Sequence, residues 1–378
     1  MEKQLEGQML HGYAAAAFGL EGLVAAELRG LRFRDVRAEN GGVHFAGTME
    51  DVFTANLSLR TCDRVFLLLM EEEGCKTYED LFQAVSGLPW EAWMKGDEAI
   101  NISCKCVRSQ LMSPRDCQSV AKKAVIERLK KRTGRRVFPE SGAAFPVQLS
   151  LRADQLRILL NTSGTALNRR GYRTWNGEAP LRETLAAALV ALSPWKPGRP
   201  LIDPCCGTGT ILIEAAMMAG GRLPGLKRSF AMESFAFWDP ARGDAIRKEA
   251  EEDVHPERIA GISGSDLDPA ALELARRHLR QADLGGLIPL SECPLQELKS
   301  DLENGVFICN PPYGERLSDR NTCHRLYHDL AELRRRHPGW SLCAISSDPA
   351  FERAYGQRAD RKRRLYNGRL ECVYYIYD

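Results

Sequence analysis

The stretch Leu201 to Glu214, LIDPCCGTGTILIE, admits few architectures. An apolar run ends at Asp203, a turn carries Gly207 and Gly209, and from Thr210 apolar residues recur with helical period. That is a strand, a glycine-rich loop and a helix, the unit from which parallel α/β sheets are assembled. Glycine has no Cβ and tolerates positive φ, so such a loop lets a ligand come close to the backbone. Dinucleotide-binding and other Rossmann-like proteins share this loop, and it does not by itself choose between them.

A second segment, Val306 to Arg316, reads VFICNPPYGER. Val306, Phe307 and Ile308 predict a strand that stops at Pro311, because proline donates nothing to a sheet ladder and restricts the residue before it. Asn310 therefore falls at the carboxyl end of a strand, where open α/β sheets bind ligands. The Asn310 side-chain carbonyl and the Pro311 backbone carbonyl are two acceptors, matched to the two donors of a planar NH2 group. Holding both hydrogens aims the nitrogen lone pair at an electrophile, so Asn310, Pro311, Pro312 and Tyr313 are the candidate catalytic segment. Tyr313 adds a face on which an extruded base can stack.

Charge locates a second function. The net charge of the 378 residues is +2, yet between Asn101 and Arg173 there are 16 Lys or Arg against four acids. Such a region meets phosphates more often than it meets nothing, although Lys122 to Arg136 also reads as a solvated helix face. Lys105, Arg108, Lys122, Lys123, Lys130, Lys131, Arg169 and Arg170 are the candidate contacts to such phosphates. No apolar run reaches membrane-spanning length and Met1 to Gly12 lacks signal-peptide character, which predicts a soluble, cytoplasmic protein. The 12 cysteines include no CxxC pair and read as reduced thiols. Cys104 and Cys106 share one face of a strand-like stretch, but no metal site is expected.

The elements read from the pattern fall into two styles. Up to about residue 168 short strands and helices alternate in small units: strands at 13–16, 42–45, 61–71, 99–106, 146–151 and 155–162, and helices at 20–31, 78–85 and 116–132. From Arg182 the alternation becomes that of a doubly wound sheet. Its strands are expected at 200–203, 259–266, 287–292, 306–309, 341–346, 361–366 and 371–377, with a helix after each of the first five. Asn367-Gly368 signals a hairpin between the last two. Asp266 ends the second strand, where an acid can bind ribose hydroxyls; Asp268 can do the same or cap the helix that starts at Pro269. The long interval from Asp203 to Asp266 makes residues 220–258 an insertion, with SFAFWDP inside it.

Taken together, AAAAFGLEGLVAAEL, NLSLRTCDRVFLLL, LNRRGYRTWNGEAPLRETLAAAL, DPCCGTGTILIEAA, NPPYGERL and RLYNGRLEC resemble the THUMP-domain RNA methyltransferases, the group of the YpsC-like proteins and the amino-terminal half of RlmL, which methylate guanine N2 in large-subunit rRNA. The resemblance implies a ferredoxin-like region over 1–60, a THUMP RNA-binding module over 61–168, and a Rossmann-like S-adenosylmethionine domain with a seven-stranded sheet over 169–378. It implies a donor loop of Asp203, Pro204, Cys205, Cys206, Gly207, Thr208 and Gly209, a ribose contact at Asp266, and Glu183 and Thr184 closing over the methionine end. One departure is that Ser291, Glu292, Cys293 and Pro294 stand where such enzymes usually place an acid near adenine. Readings that keep the fold exchange the substrate for tRNA guanine N2, adenine N6 or a glutamine amide. A different class would be a non-catalytic RNA-binding ribosome-assembly factor. Oligomeric state is not legible.

Overall fold

The computed structural model describes residues 7–94, 96–135, 137–173, 181–313 and 317–378, with side chains omitted for 317–320. Residues 174–180 of the junction motif, 314–316 of the NPPYGER segment and Arg136 of the basic helix face lie outside the described residues. The chain forms two units, and they are not contiguous in sequence. The first comprises Met1–Ala16, Val24–Leu167 and Ser229–Lys248; the second comprises Ala17–Leu23, Asn168–Arg228 and Glu249–Asp378.

The first unit is built on one seven-stranded sheet. Its strands are β1 (Leu10–Ala16), β2 (Arg34–Glu39), β3 (Gly42–Gly47), β4 (Cys62–Glu72), β5 (Ala99–Val107), β6 (Ala144–Arg152) and β7 (Gln155–Asn161), in the spatial order β2-β3-β1-β4-β7-β6-β5. All neighbours are antiparallel except β5 and β6. The apolar run of β4 reflects its central place, hydrogen-bonded to β1 on one side and β7 on the other. The expected boundary at residue 60 therefore falls just before a strand that both halves share. Helices α1 (Glu21–Gly30), α2 (Met49–Ser58), α3 (Tyr78–Gly87) and α4 (Pro114–Thr133) complete the layer. Thr48 and Thr77 start α2 and α3 by accepting from the backbone N–H of Asp51 and Asp80, whose carboxylates return the bond. Ser113 caps α4, Pro114 occupies its first turn, and Gly134 ends it at φ 70.

The insertion finds its place here. Within Ser229–Lys248, Trp238 stacks on Phe53 of α2 with ring centroids 4.8 Å apart, and Phe235 lies 5.2 Å from Phe145 of β6. Phe230, Met232, Phe235, Phe237 and Trp238 are all buried. The aromatic residues of SFAFWDP are thus core residues of the first unit, although the sequence around them belongs to the second.

The second unit carries the other seven-stranded sheet: β8 (Leu201–Asp203), β9 (Ile262–Asp266), β10 (Leu290–Glu292), β11 (Val306–Cys309), β12 (Ser341–Ser346), β13 (Arg361–Asn367) and β14 (Leu370–Tyr377), in the order β10-β9-β8-β11-β12-β14-β13. The first five are parallel, and β14 runs antiparallel to both β12 and β13. Alternation along β11 places Val306 and Ile308 in the core under α5 (Glu183–Leu192) and α6 (Thr210–Ala219), and Phe307 and Cys309 in the core under α9 (Leu317–Arg336). Helix α8 is Pro269–Gln281 and α10 is Phe351–Tyr355, while most of α7 (Pro240–Glu252) falls in the first unit's Ser229–Lys248 segment. One expectation fails: no helix follows β10. Residues 293–305 make only a turn, in which Glu297 and Leu298 donate to the Pro294 carbonyl, because ELKSDLENG carries no apolar stripe long enough to bury. Strand order reverses between β8 and β11, so a crevice opens at their carboxyl ends.

Candidate active site

The loop after β8 is held by its own backbone and by its neighbour strand. Cys206 donates to the Ser265 carbonyl of β9 at 2.9 Å, and Gly209 donates to the Cys206 carbonyl at 2.8 Å. Gly207 and Gly209 have φ of 49 and 81, which only glycine adopts without strain, and Gly209 opens α6. From α8 the buried His278 places Nδ1 at 3.1 Å from the Thr208 carbonyl. A cavity of about 440 Å³ lies against this loop, lined by Asp203, Cys205 to Thr208, Thr210, Asp268 and Arg173, and closed at the β11 side by Asn310. A Cβ placed on Gly207 would meet nothing within 4 Å, so the backbone here is open to an occupant.

The two acids at the end of β9 are placed differently about the loop. The Asp266 carboxylate accepts from Gly207 N–H at 2.7 Å and from Asp268 N–H at 3.0 Å. It braces the loop and is not part of the cavity wall. Asp268 is on the wall, with Oδ1 accepting from Ala270 N–H as the cap of α8. The Asp203 carboxyl is 1% exposed and accepts from Cys205 N–H. Burial drives its pKa well above the usual aspartate range, and that hydrogen bond only partly opposes the shift. Burial also raises the Cys205 and Cys206 thiols, which are accordingly not nucleophiles at neutral pH.

Glu183 and Thr184 are buried at the start of α5 and do not line the cavity. Glu183 instead receives Arg173 at 3.3 Å and Asn168 at 3.3 Å. Arg173 also donates to Thr210 Oγ1 at 3.1 Å, so it ties the segment before α5 to the first residue of α6. Arg173 was missed as a site residue because its role depends on contacts to both helices; its place in the junction motif was the available signal.

At the end of β11, Asn310 reaches the cavity while Pro311 is buried and Pro312 exposed. The Pro312 carbonyl accepts from the hydroxyl of Tyr327, a fully buried residue of α9, at 3.0 Å. Tyr313 is partly buried, and its hydroxyl donates to Asn310 Oδ1. The acceptor expected to hold an amine is therefore engaged by a neighbouring hydroxyl in this structure. The structure brings the donor loop and Asn310 to one cavity, and leaves Tyr313 beside Asn310 outside the wall.

Among the candidate RNA contacts, Lys105, Arg108, Lys123, Lys131 and Arg169 are exposed. Lys122 pairs with Glu140 at 2.7 Å and Lys130 with Glu127 at 3.0 Å. Arg170 is a correction: it is 3% exposed and its Nε lies 3.3 Å from Glu214 of α6, to which Tyr172 also donates at 3.0 Å. A guanidinium enclosed with a carboxylate inside the fold cannot meet a phosphate, and a basic dipeptide in sequence does not reveal which member turns inward. Among the described residues no helix is long and apolar enough to cross a membrane.

Three family models match: the RlmL ferredoxin-like domain over residues 12–66, the THUMP domain over 75–161, and the RMKL-like methyltransferase domain over 170–376. The chain is 37% identical over 366 residues to the putative RNA methyltransferase YpsC of Bacillus subtilis (strain 168), covering 96% of this chain and 94% of that one. It is 33% identical over 375 residues to the ribosomal RNA large subunit methyltransferase K/L of Psychromonas ingrahamii, covering 97% of this chain and half, 50%, of that longer protein. Among solved structures, SMU.472, a putative methyltransferase complexed with SAH, superposes with a TM-score of 0.92 at 38% identity over 98% of both chains.

Proposed function

The chain belongs to the RMKL-like methyltransferases that carry RlmL ferredoxin-like and THUMP domains, and from that premise we propose that it methylates the exocyclic N2 of a guanine in large-subunit rRNA, in the cytoplasm. The cofactor is S-adenosylmethionine, and the residues present suit it. The backbone at Gly207 is open, the cavity of about 440 Å³ is of ligand size, and Asp203 and Asp268 offer carboxyl oxygens on its wall. Bound there, the cofactor supplies an electrophilic sulfonium methyl group.

The chain's own residues do the rest by positioning. Asn310 Oδ1 accepts one hydrogen of the target NH2 once the Tyr313 hydroxyl gives it up. The Pro311 carbonyl takes the second, and Tyr327, by fixing the Pro312 carbonyl, holds the turn that presents both acceptors. Tyr313, released from Asn310, offers its ring to the base. The observation that carries this reading is that Asn310 and the loop from Asp203 to Thr210 line one cavity. The basic surface of the first unit supports an RNA substrate, and the family supports large-subunit rRNA.

Nucleoside mass spectrometry of rRNA and tRNA from cells lacking the protein tests the substrate: loss of N2-methylguanine from large-subunit rRNA is expected, and loss confined to tRNA or to N6-methyladenine would replace it. Single-turnover methylation of the hypomethylated rRNA with labelled donor tests the site. Asn310→Ala is expected to lower turnover by roughly 10²-fold or more while donor affinity stays near wild type.

A further inference from the structure

Strand β5 is the edge of its sheet, hydrogen-bonded only to β6. Along it Asn101, Ser103, Lys105 and Val107 are exposed, and Ile100, Ile102, Cys104 and Cys106 are the more buried set. In the first turn of α4, Cys117 is fully buried. The sulfur atoms of Cys104, Cys106 and Cys117 all lie within 4.8 Å of one another, and those of Cys104 and Cys106 are 3.6 Å apart. Zinc–sulfur bonds of ~2.3 Å at tetrahedral angles set sulfurs about 3.8 Å apart, so the triangle is already close to the size a metal requires.

We propose that Cys104, Cys106 and Cys117 form a three-thiolate site for a soft metal ion, which clamps the edge strand β5 to α4. The strand supplies two ligands from one face because its side chains repeat every second residue, and the helix supplies the third from a position that sequence spacing does not connect to them. Cys104 and Cys106 are half-buried, which leaves the outer side of the triangle open for a fourth, exchangeable ligand. Burial and the adjoining sulfurs push the Cys117 thiol up to about 11 and raise that of Cys104. Binding is therefore an exchange in which each S–H bond breaks, its proton goes to solvent and a sulfur–metal bond forms, with no change of oxidation state. The clamp would hold in place the strand that carries Lys105 and the helix that carries Lys123 and Lys131, three of the exposed cations of this unit.

The experiment uses the full chain, reduced and stripped of metal, titrated with cobalt(II) and then with zinc. The expected result is one equivalent bound with intense sulfur-to-cobalt charge-transfer absorption, displaced by zinc, together with a higher melting temperature in zinc. In Cys104→Ser/Cys106→Ser, which changes only half-buried positions, that absorption and the zinc-dependent rise should both disappear. Cys117→Ser should do the same if it folds, and the double variant keeps the test valid if it does not. Unchanged cobalt absorption in the double variant would place the metal on others of the 12 cysteines and overturn the proposal. So would loss of two titratable thiols on mild oxidation without any cobalt signal, which would identify a redox pair instead.

Discussion

A carboxyl group shut away from water beside a second acid holds its proton, and Asp203 is such a group. Its folded pKa lies above its unfolded value of about 3.9, so between the two the folded state binds the extra proton. Its contribution to stability is therefore complete below the unfolded pKa and is lost as pH rises through the folded one. Asp203→Asn, which keeps the shape and cannot ionise, should show no such loss. Unfolding measured across pH is expected to give similar stabilities for the two proteins in acid and an increasing advantage for Asn as pH rises; parallel curves would mean that Asp203 ionises normally. Tyr313 makes a second prediction at this scale. In the proposed site its hydroxyl competes with substrate for Asn310, a neutral hydrogen bond of about 0.5–1.5 kcal/mol. Tyr313→Phe keeps the ring and removes the competitor, so KM for RNA should fall by a few-fold up to about tenfold with kcat little changed, whereas Tyr313→Ala should raise KM by removing the stacking face.

Helix α6 shows how an element is tied into its unit by more than its apolar face. Ile211, Leu212, Ile213, Ala215 and Ala216 bury it all round, yet Glu214 in the middle is also fully buried. Its carboxylate faces Arg170 and the Tyr172 hydroxyl, so the segment that precedes α5 is pinned to α6. Replacing Glu214 by Ala would take the near counter-charge from an enclosed guanidinium, at a cost of about 3 kcal/mol or more. Chemical denaturation should show that loss. A smaller loss is expected for Glu214→Gln, because the amide oxygen still accepts from Tyr172.

For the whole molecule, charge is distributed unequally although the net value is only +2. Lys122 and Lys130 already face carboxylates, while Lys123 and Lys131 are exposed and make no ion pair among the described residues. A phosphate contact releases counterions in proportion to the free charge it neutralises. Reversing Lys123 and Lys131 to Glu should weaken RNA binding and flatten the dependence of log K on log salt by about 1 to 2. The same change at Lys122 and Lys130 should do less, since part of their charge is already offset. Equal slopes for all three proteins would mean that RNA does not lie on this helix.

What was legible from sequence was local. The strands of the second sheet begin and end within about three residues of their expected places, because alternation, prolines and the Asn367-Gly368 turn are properties of neighbouring residues. The same holds for the glycine loop and for Asn310. Where a signal was weak, the element was missed. β2 (RDVRAE) is a charged edge strand with no buried face, so only its pairing with β3 identifies it. α2 went unrecognised although Thr48 and Asp51 cap it. Tertiary structure alone decided the rest: that Asp266 spends both its oxygens on backbone N–H groups, that Arg170 turns inward to Glu214, that the aromatic residues of SFAFWDP complete the first unit's core, and that Cys117 joins Cys104 and Cys106. Each depends on which distant residue arrives to satisfy a charge, a donor or an apolar face. That choice is made by packing, and short-range sequence pattern carries no record of it.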